Sequence, residues 1–228
     1  MAAFLLLHGS GQSARCWERV GRLLEERGHR ALAPELPKHA LDWTLADYAA
    51  YVAAQVPGPG TVAVAHSFSG VFLPLIAERA PLAHLVFLAA VIPEPGKSVR
   101  TQFVEDPGMF HPSWIEAGPR WFLESGQEVL AREFLFHDCD GETLAWALGT
   151  VELFDTRHLV TEPAPFTALP RTATTCIVAT EDRTLTADWI RRTAHRVLGI
   201  ESLEIQAGHC PHASQAARIA TILHGLAA

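Results

Sequence analysis

Outside residues 93–170, short apolar runs alternate with stretches of helical periodicity, and this alternation restricts the chain more than any single residue does. A strand, a crossover helix and another strand make a βαβ unit, and a series of such units builds a mainly parallel, doubly wound sheet with helices on its faces. The pattern predicts strands near residues 2–7, 30–33, 61–64, 84–90, 174–180 and 202–206. It predicts helices near residues 14–27, 44–56, 71–79, 187–198 and 213–226. The punctuation agrees. Gly28 suits the left-handed position that closes a helix. Pro34 and Pro37 stop a strand. Thr44 with Asp47 has the form of a capping box, and Pro57-Gly-Pro-Gly60 breaks the helix that follows it. A length of 228 residues fits one α/β domain, residues 1–228, better than two of about 100 residues each.

Residues 93–170 read differently. No strong strand pattern appears, and proline and glycine separate short amphipathic pieces near residues 113–125, 127–136 and 141–153. Three of the six tryptophans, Trp114, Trp121 and Trp146, lie here. A long insertion in an alternating pattern is usually functional. It is expected to be a small helical cap, inserted after the strand ending near Ala90 and lying over the C-terminal edge of the sheet. The plainer expectation is a second helical layer with no ligand contact.

The segment Thr61-Val-Ala-Val-Ala-His-Ser-Phe-Ser-Gly70 carries chemistry. A serine between small residues at a strand-to-helix turn has the form of a nucleophile elbow. Ala65 and Ser69 stand where two glycines are usual. Such a turn exposes Ser67 above the sheet, over the Phe68 backbone N–H and the start of a helix. Those donors suit a carbonyl oxygen that becomes negative during acyl transfer. The competing expectation is a buried strand followed by a helix that Ser67 and Ser69 merely cap.

An acyl-transfer serine needs a base and a group to orient that base. In an open α/β sheet such residues gather at the carboxyl ends of strands. Glu181 and Asp182 follow the predicted strand ending at Thr180, and His209 follows the one ending near Gln206. The chain order Ser67, Asp182, His209 is that of nucleophile, acid and histidine in one large hydrolase fold. Glu181 competes with Asp182, and His212 with His209. Asp155 and Glu162 follow no clear strand and are weaker candidates. The turn Leu7-His8-Gly9-Ser10-Gly11 follows the first strand, so the Ser10 N–H is the expected second oxyanion donor beside that of Phe68. His8 is expected to brace this loop by hydrogen bonding. Gly9, Phe110, Trp114, Trp121 and Phe122 are the expected substrate contacts. With Phe68, the aromatic ones suit an apolar or aromatic group.

Composition excludes several classes. The net charge is −7 and no basic cluster suggests nucleic acid. The longest apolar runs, such as residues 85–92, fall far short of the roughly 20 residues of a membrane span. The first residues lack a basic region and a cleavage site, so they read as a strand rather than a signal peptide. Cys16, Cys139, Cys176 and Cys210 are widely spaced, which suggests reduced thiols in a cytoplasm. His209-Cys-Pro-His212 has no second ligand cluster of matching spacing, so no metal is expected. Nothing in the chain separates a monomer from a homodimer.

Over nearly its whole length the chain resembles α/β-hydrolases of the plant methylesterase and hydroxynitrile-lyase type, in compact bacterial form. The resemblance runs through Leu-His8-Gly9-Ser10, Cys16-Trp17 and Gly28-His-Arg-Ala-Leu-Ala-Pro-Glu-Leu-Pro37. It continues through Ala65-His66-Ser67-Phe68-Ser69-Gly70, Thr180-Glu-Asp182-Arg and Gly208-His209-Cys-Pro-His-Ala-Ser-Gln215. It implies the α/β-hydrolase fold, the Ser67, Asp182 and His209 set, and chemistry without a cofactor. The family's lyases carry a lysine after the catalytic histidine and a threonine after the first-loop histidine. Here those positions are Cys210 and Gly9, which favours the esterase branch. Members that open epoxides or displace halide use an aspartate nucleophile, against which Ser67 argues. The expected function is a serine hydrolase acting on a small carboxylic ester. The alternative is a cofactor-free lyase, cyclase or isomerase built on the same residues. A third reading is a ligand-binding protein that retains the pocket.

Overall fold

A computed structural model describes residues 1–122 and 127–227, apart from the side chains of Pro119 and Phe122. Six parallel strands are ordered β2-β1-β3-β4-β5-β6. They are β1 (Ala3–Leu7), β2 (Arg30–Leu32), β3 (Thr61–His66), β4 (Leu82–Leu88), β5 (Ala173–Ala179) and β6 (Leu203–Ile205). Parallel strands buried on both faces need apolar side chains at odd and even positions alike, and β3 is buried along its whole length. Leu5, Leu7, Ala63, Ala65, Leu85 and Phe87 face one layer, which holds α2 (Leu45–Ala53), α3 (Leu73–Ala77) and α8 (Ala187–Thr193). Phe4, Leu6, Val62, Val64, Val86 and Leu88 face the other, which holds α1 (Glu18–Glu25) and α10 (Ala216–Leu226). Burying each large apolar side chain stabilises the fold by about 1.5–3 kcal/mol relative to exposure.

Local chemistry sets the helix ends. Thr44 accepts from the Asp47 N–H and the Asp47 carboxylate accepts from the Thr44 N–H, the capping box expected from sequence. Gly28 closes the turn after α1 with φ +81°. Several boundaries differ from the sequence-based expectation. The first helix begins as a 3-10 turn at Ala14–Trp17. The helix after β3 also begins as a 3-10 turn, Ser67–Phe72. The last helix is broken at Gln215 into α9 (Pro211–Ser214) and α10, and α8 widens into a π turn at Ala194–Leu198.

The chain leaves β1 to form β2 on one side and returns to form β3 on the other. The crevice where strand order reverses is where open α/β sheets hold their ligands. Between β4 and β5 the chain forms α4 (Val99–Glu105), α5 (Pro112–Ala117), α6 (Gln127–Leu130) and α7 (Gly141–Leu148). Sequence pattern missed α4, which the Ser98 hydroxyl caps by accepting from the Thr101 N–H. Trp121, Leu130, Phe134, Leu135 and Ala147 form a separate small core that reaches Cys210 and Ala213. No helix among the described residues is long and apolar enough to cross a membrane.

Candidate active site

Ser67 follows the last residue of β3 and takes φ +56°, a left-handed conformation that is strained for a side chain larger than hydrogen. Strain of this kind costs about 1–3 kcal/mol and persists only where neighbours hold it. The Ser67 carbonyl accepts from the Val91 N–H at 3.0 Å. Gly70 lets the turn approach the end of β4, since a Cβ there would stand 2.1 Å from the Val91 carbonyl oxygen. Ser69 is fully buried, and its hydroxyl donates to the His8 carbonyl. The residue that departs from the usual glycine thus ties the elbow to the loop after β1. Gly9 in that loop would put a Cβ 2.8 Å from Ser67 Cβ and 3.0 Å from His66 Nδ1, so only glycine fits without movement.

Ser67 Oγ lies 3.0 Å from His209 Nε2. His209 Nδ1 lies 2.7 Å from Asp182 Oδ2. The other Asp182 oxygen accepts from the Thr184 N–H at 2.7 Å, the Leu185 N–H at 3.1 Å and the Thr184 hydroxyl at 3.0 Å. The Asp182 side chain is fully buried and that of His209 is 3% exposed. With the carboxylate on the Nδ1 side, the imidazole proton sits on Nδ1 and Nε2 is left to accept from the serine hydroxyl. An imidazole so held can take the serine proton as the oxygen attacks a carbonyl carbon.

The structure separates these residues from their rivals. Glu181 faces solvent, where its carboxylate accepts from Gln206. The Asp155 carboxylate pairs with Arg157, and that of Glu162 accepts from the Leu45 N–H. His212 lies behind His209, fully buried, stacked on Trp17 at 4.6 Å and bonded through Nε2 to Gln12 Oε1 at 3.1 Å. His8 braces its loop: Nδ1 donates to the Gly9 carbonyl and Nε2 accepts from the Leu36 N–H.

A cavity of about 220 Å³ opens at Ser67. Gly9, Ser10, Phe68, Phe110, Trp114 and Trp121 line it, while the Phe122 side chain lies outside the described residues. Sequence reasoning missed Gln12, Thr156, Thr184 and Leu185 as lining residues. Thr184 alone had a signal, standing two positions after Asp182 at a strand end.

Behind His209, the ligand atoms of His66, Cys210 and His212 lie within 4.8 Å of one another. This is the only such trio among the described residues, and it includes two positions of the His209-Cys-Pro-His212 motif but not His209. Protein hydrogen bonds already engage it. The His66 Nε2–H donates to the His209 carbonyl at 2.9 Å, and Gln12 Oε1 accepts from both His212 and the Cys210 thiol. Burial holds His66 well below the usual imidazole range, helped by its neighbours His212 and His209. Burial, with His209 nearby, lowers His212 to about 3. Burial also raises the Cys210 thiol far above its ordinary value, so it stays neutral. All four cysteines are free.

The chain is 35% identical to the probable esterase PIR7A of Oryza sativa subsp. indica over 138 residues, 55% of this chain and 52% of that protein. It is 26% identical to methyl jasmonate esterase 1 of Vitis vinifera over 189 residues, 70% of each chain. The chain spans about half the length of the rice relative. The structure overlays on a pyrethroid hydrolase from Sphingobium faniae JZ-2 with a TM-score of 0.75 at 22% identity, covering 99% of this chain and 97% of that one. The model of a family described as the alpha/beta hydrolase family matches residues 4–222, and the chain belongs to that family.

Proposed function

We propose that the protein is a serine hydrolase that cleaves small, uncharged carboxylic esters through an acyl-enzyme. The observation that carries this reading is the unbroken line from Asp182 Oδ2 through His209 to Ser67 Oγ, with steps of 2.7 and 3.0 Å, at the floor of an apolar cavity. Ser67 attacks the ester carbonyl while His209 takes its proton. Asp182 holds the imidazole tautomer and stabilises the imidazolium. The N–H groups of Phe68 and Ser10, residues that both line the cavity, receive the oxyanion. His209 then gives its proton to the leaving alcohol, takes one from the water that attacks the acyl-enzyme, and returns it to Ser67 Oγ as the acid leaves. The helical insertion between β4 and β5 serves as the cap. Its Trp114 and Trp121 rings, 5.7 Å apart, form an apolar wall for the larger part of the ester.

Two positions favour hydrolysis over carbon–carbon cleavage. Cys210 is fully buried, neutral and absent from the cavity lining, so it offers no cation to a departing anion. A threonine at position 9 would meet Ser67 Cβ at 2.8 Å.

The test is intact mass and peptide mapping after a fluorophosphonate probe, followed by an ester screen. One adduct on Ser67, absent from Ser67→Ala, is expected. Loss of Ser67 or His209 should lower kcat/KM by about 10⁴-fold or more, because such residues act as a unit. Losses below about tenfold in both alanine variants would sink the reading. A rearranged or cleaved carbon skeleton in place of acid and alcohol would favour lyase, cyclase or isomerase chemistry instead.

A further inference from the structure

No lysine, arginine, aspartate or glutamate lines the cavity among the described residues. Most of its polar side chains are already engaged. Gln12 bonds His212 and Thr150. His66 bonds the His209 carbonyl. Thr184 bonds Asp182, and Ser67 bonds His209. Two hydroxyls remain, those of Ser10 and Thr156, and of the two Thr156 is the buried one. Thr156 lines the cavity at 7% exposure, and its side chain has no hydrogen-bond partner among the described residues. The oxygen is not sealed in the protein interior, as it is absent from the buried unpaired set that includes His66 Nδ1 and His212 Nδ1.

The backbone around Thr156 is held in place. The Phe154 N–H donates to the Ser10 carbonyl at 2.7 Å, and the Glu152 N–H donates to the Gly11 carbonyl at 3.2 Å. Val151 bridges Gln12 in antiparallel fashion. Phe154 is fully buried, and the Thr156 carbonyl accepts from the Val160 N–H at 3.0 Å. The strip that carries Thr156 is thus stitched to the loop that carries Ser10. A hydroxyl fixed in this way reads a ligand without an ordering cost. A purely apolar ligand would cover it and leave it unpaired, whereas a ligand oxygen would pair with it.

We propose that Thr156 is a specificity-determining residue, and that the preferred substrates are uncharged esters carrying one further hydrogen-bonding oxygen, as hydroxyl, keto or ether, on their larger apolar part. This rests on the reading of Ser67 as an ester-cleaving nucleophile. Sites built to pair a substrate's polar group discriminate strongly against the analogue that lacks it, because the site's own group is left unpaired.

The experiment measures kcat/KM for matched methyl esters. Phenylacetate is set against its three ring-hydroxylated isomers, and 4-phenylbutanoate against 4-oxo-4-phenylbutanoate. The wild-type protein should prefer at least one oxygenated partner by about ten- to a hundredfold. In Thr156→Val, which keeps the side-chain shape, that ratio should fall to within about threefold, and Thr156→Ser should restore it. Damage to packing alone would lower both members of a pair together and leave the ratio standing. A ratio that survives in Thr156→Val overturns the proposal. So does wild-type cleavage of the unsubstituted esters with no preference for any oxygenated partner, and that result leaves the Ser67 reading intact. No cleavage of any ester, together with no probe adduct on Ser67, overturns the reading beneath it.

Discussion

Thr184 and His209 meet side chain to side chain, Oγ1 2.7 Å from Nδ1. The same hydroxyl donates to Asp182 Oδ1 at 3.0 Å. The imidazole N–H is therefore shared between the carboxylate and a hydroxyl that is itself anchored to that carboxylate. In the proposed mechanism Thr184 acts through its neighbours, as a positioning residue.

Thr184→Val removes this hydroxyl but keeps the side-chain shape and the backbone N–H that also serves Asp182. Loss of about 1–1.5 kcal/mol of orienting interaction corresponds to about a tenfold fall in kcat/KM. The fall should lie in kcat with KM little changed, and Thr184→Ser should recover it. A Thr184→Val kcat equal to that of the wild type would remove the residue from the proposed mechanism.

The Ser69 hydroxyl is the donor that joins the elbow to the His8 carbonyl inside the protein. In Ser69→Ala and Ser69→Gly that buried bond is gone. Each variant should lose about 2 kcal/mol, which lowers Tm by about 4–8 °C in a chain of this size. Ser69→Gly should lose it even though it brings back the residue usual in elbows. Thermal unfolding of both variants provides the check.

Gly70 and Gly225 should respond in opposite directions to alanine. A Cβ at Gly70 meets the Val91 carbonyl oxygen at 2.1 Å, so the elbow or the end of β4 must move. The expected cost is about 3 kcal/mol or more, with loss of probe labelling at Ser67. Gly225 lies in α10 with nothing within 4 Å of an added Cβ, and Gly225→Ala should stabilise by about 0.5–1 kcal/mol. Denaturant midpoints measure both changes.

Two buried histidines set an acid limit on stability. His66 is held well below its ordinary value and His212 is lowered to about 3, chiefly by burial. Well above pH 6.5 both are neutral in the folded and unfolded chain alike, and their contribution is constant. As pH falls below that value the unfolded chain binds protons that the folded one refuses, so unfolding becomes easier. Each pH unit between about 6 and the folded value should remove about 1.4 kcal/mol per histidine. Urea unfolding from pH 7 to pH 4 should show this slope, and His212→Phe should flatten it by about half.

The parallel sheet, its helices, and the positions of Ser67, Asp182 and His209 could all be read from sequence, because each rests on local chemistry. A buried parallel strand writes itself as a continuous apolar run, a capping box lies within four residues, and strand ends mark where reactive side chains collect. Residues 93–170 were legible only as helical and inserted, since short pieces between prolines and glycines carry too little periodicity to show α4. The sequence favours Asp182 over its competitor Glu181 as the carboxylate beside His209, but only the fold turns one inward and the other to solvent. The same holds for Thr184, for the Gln12 bridge to His212 and for the unpaired hydroxyl of Thr156. Strand and helix preferences act over a few residues of chain, whereas a hydrogen bond between residues 12 and 212 exists only once packing has closed the distance between them.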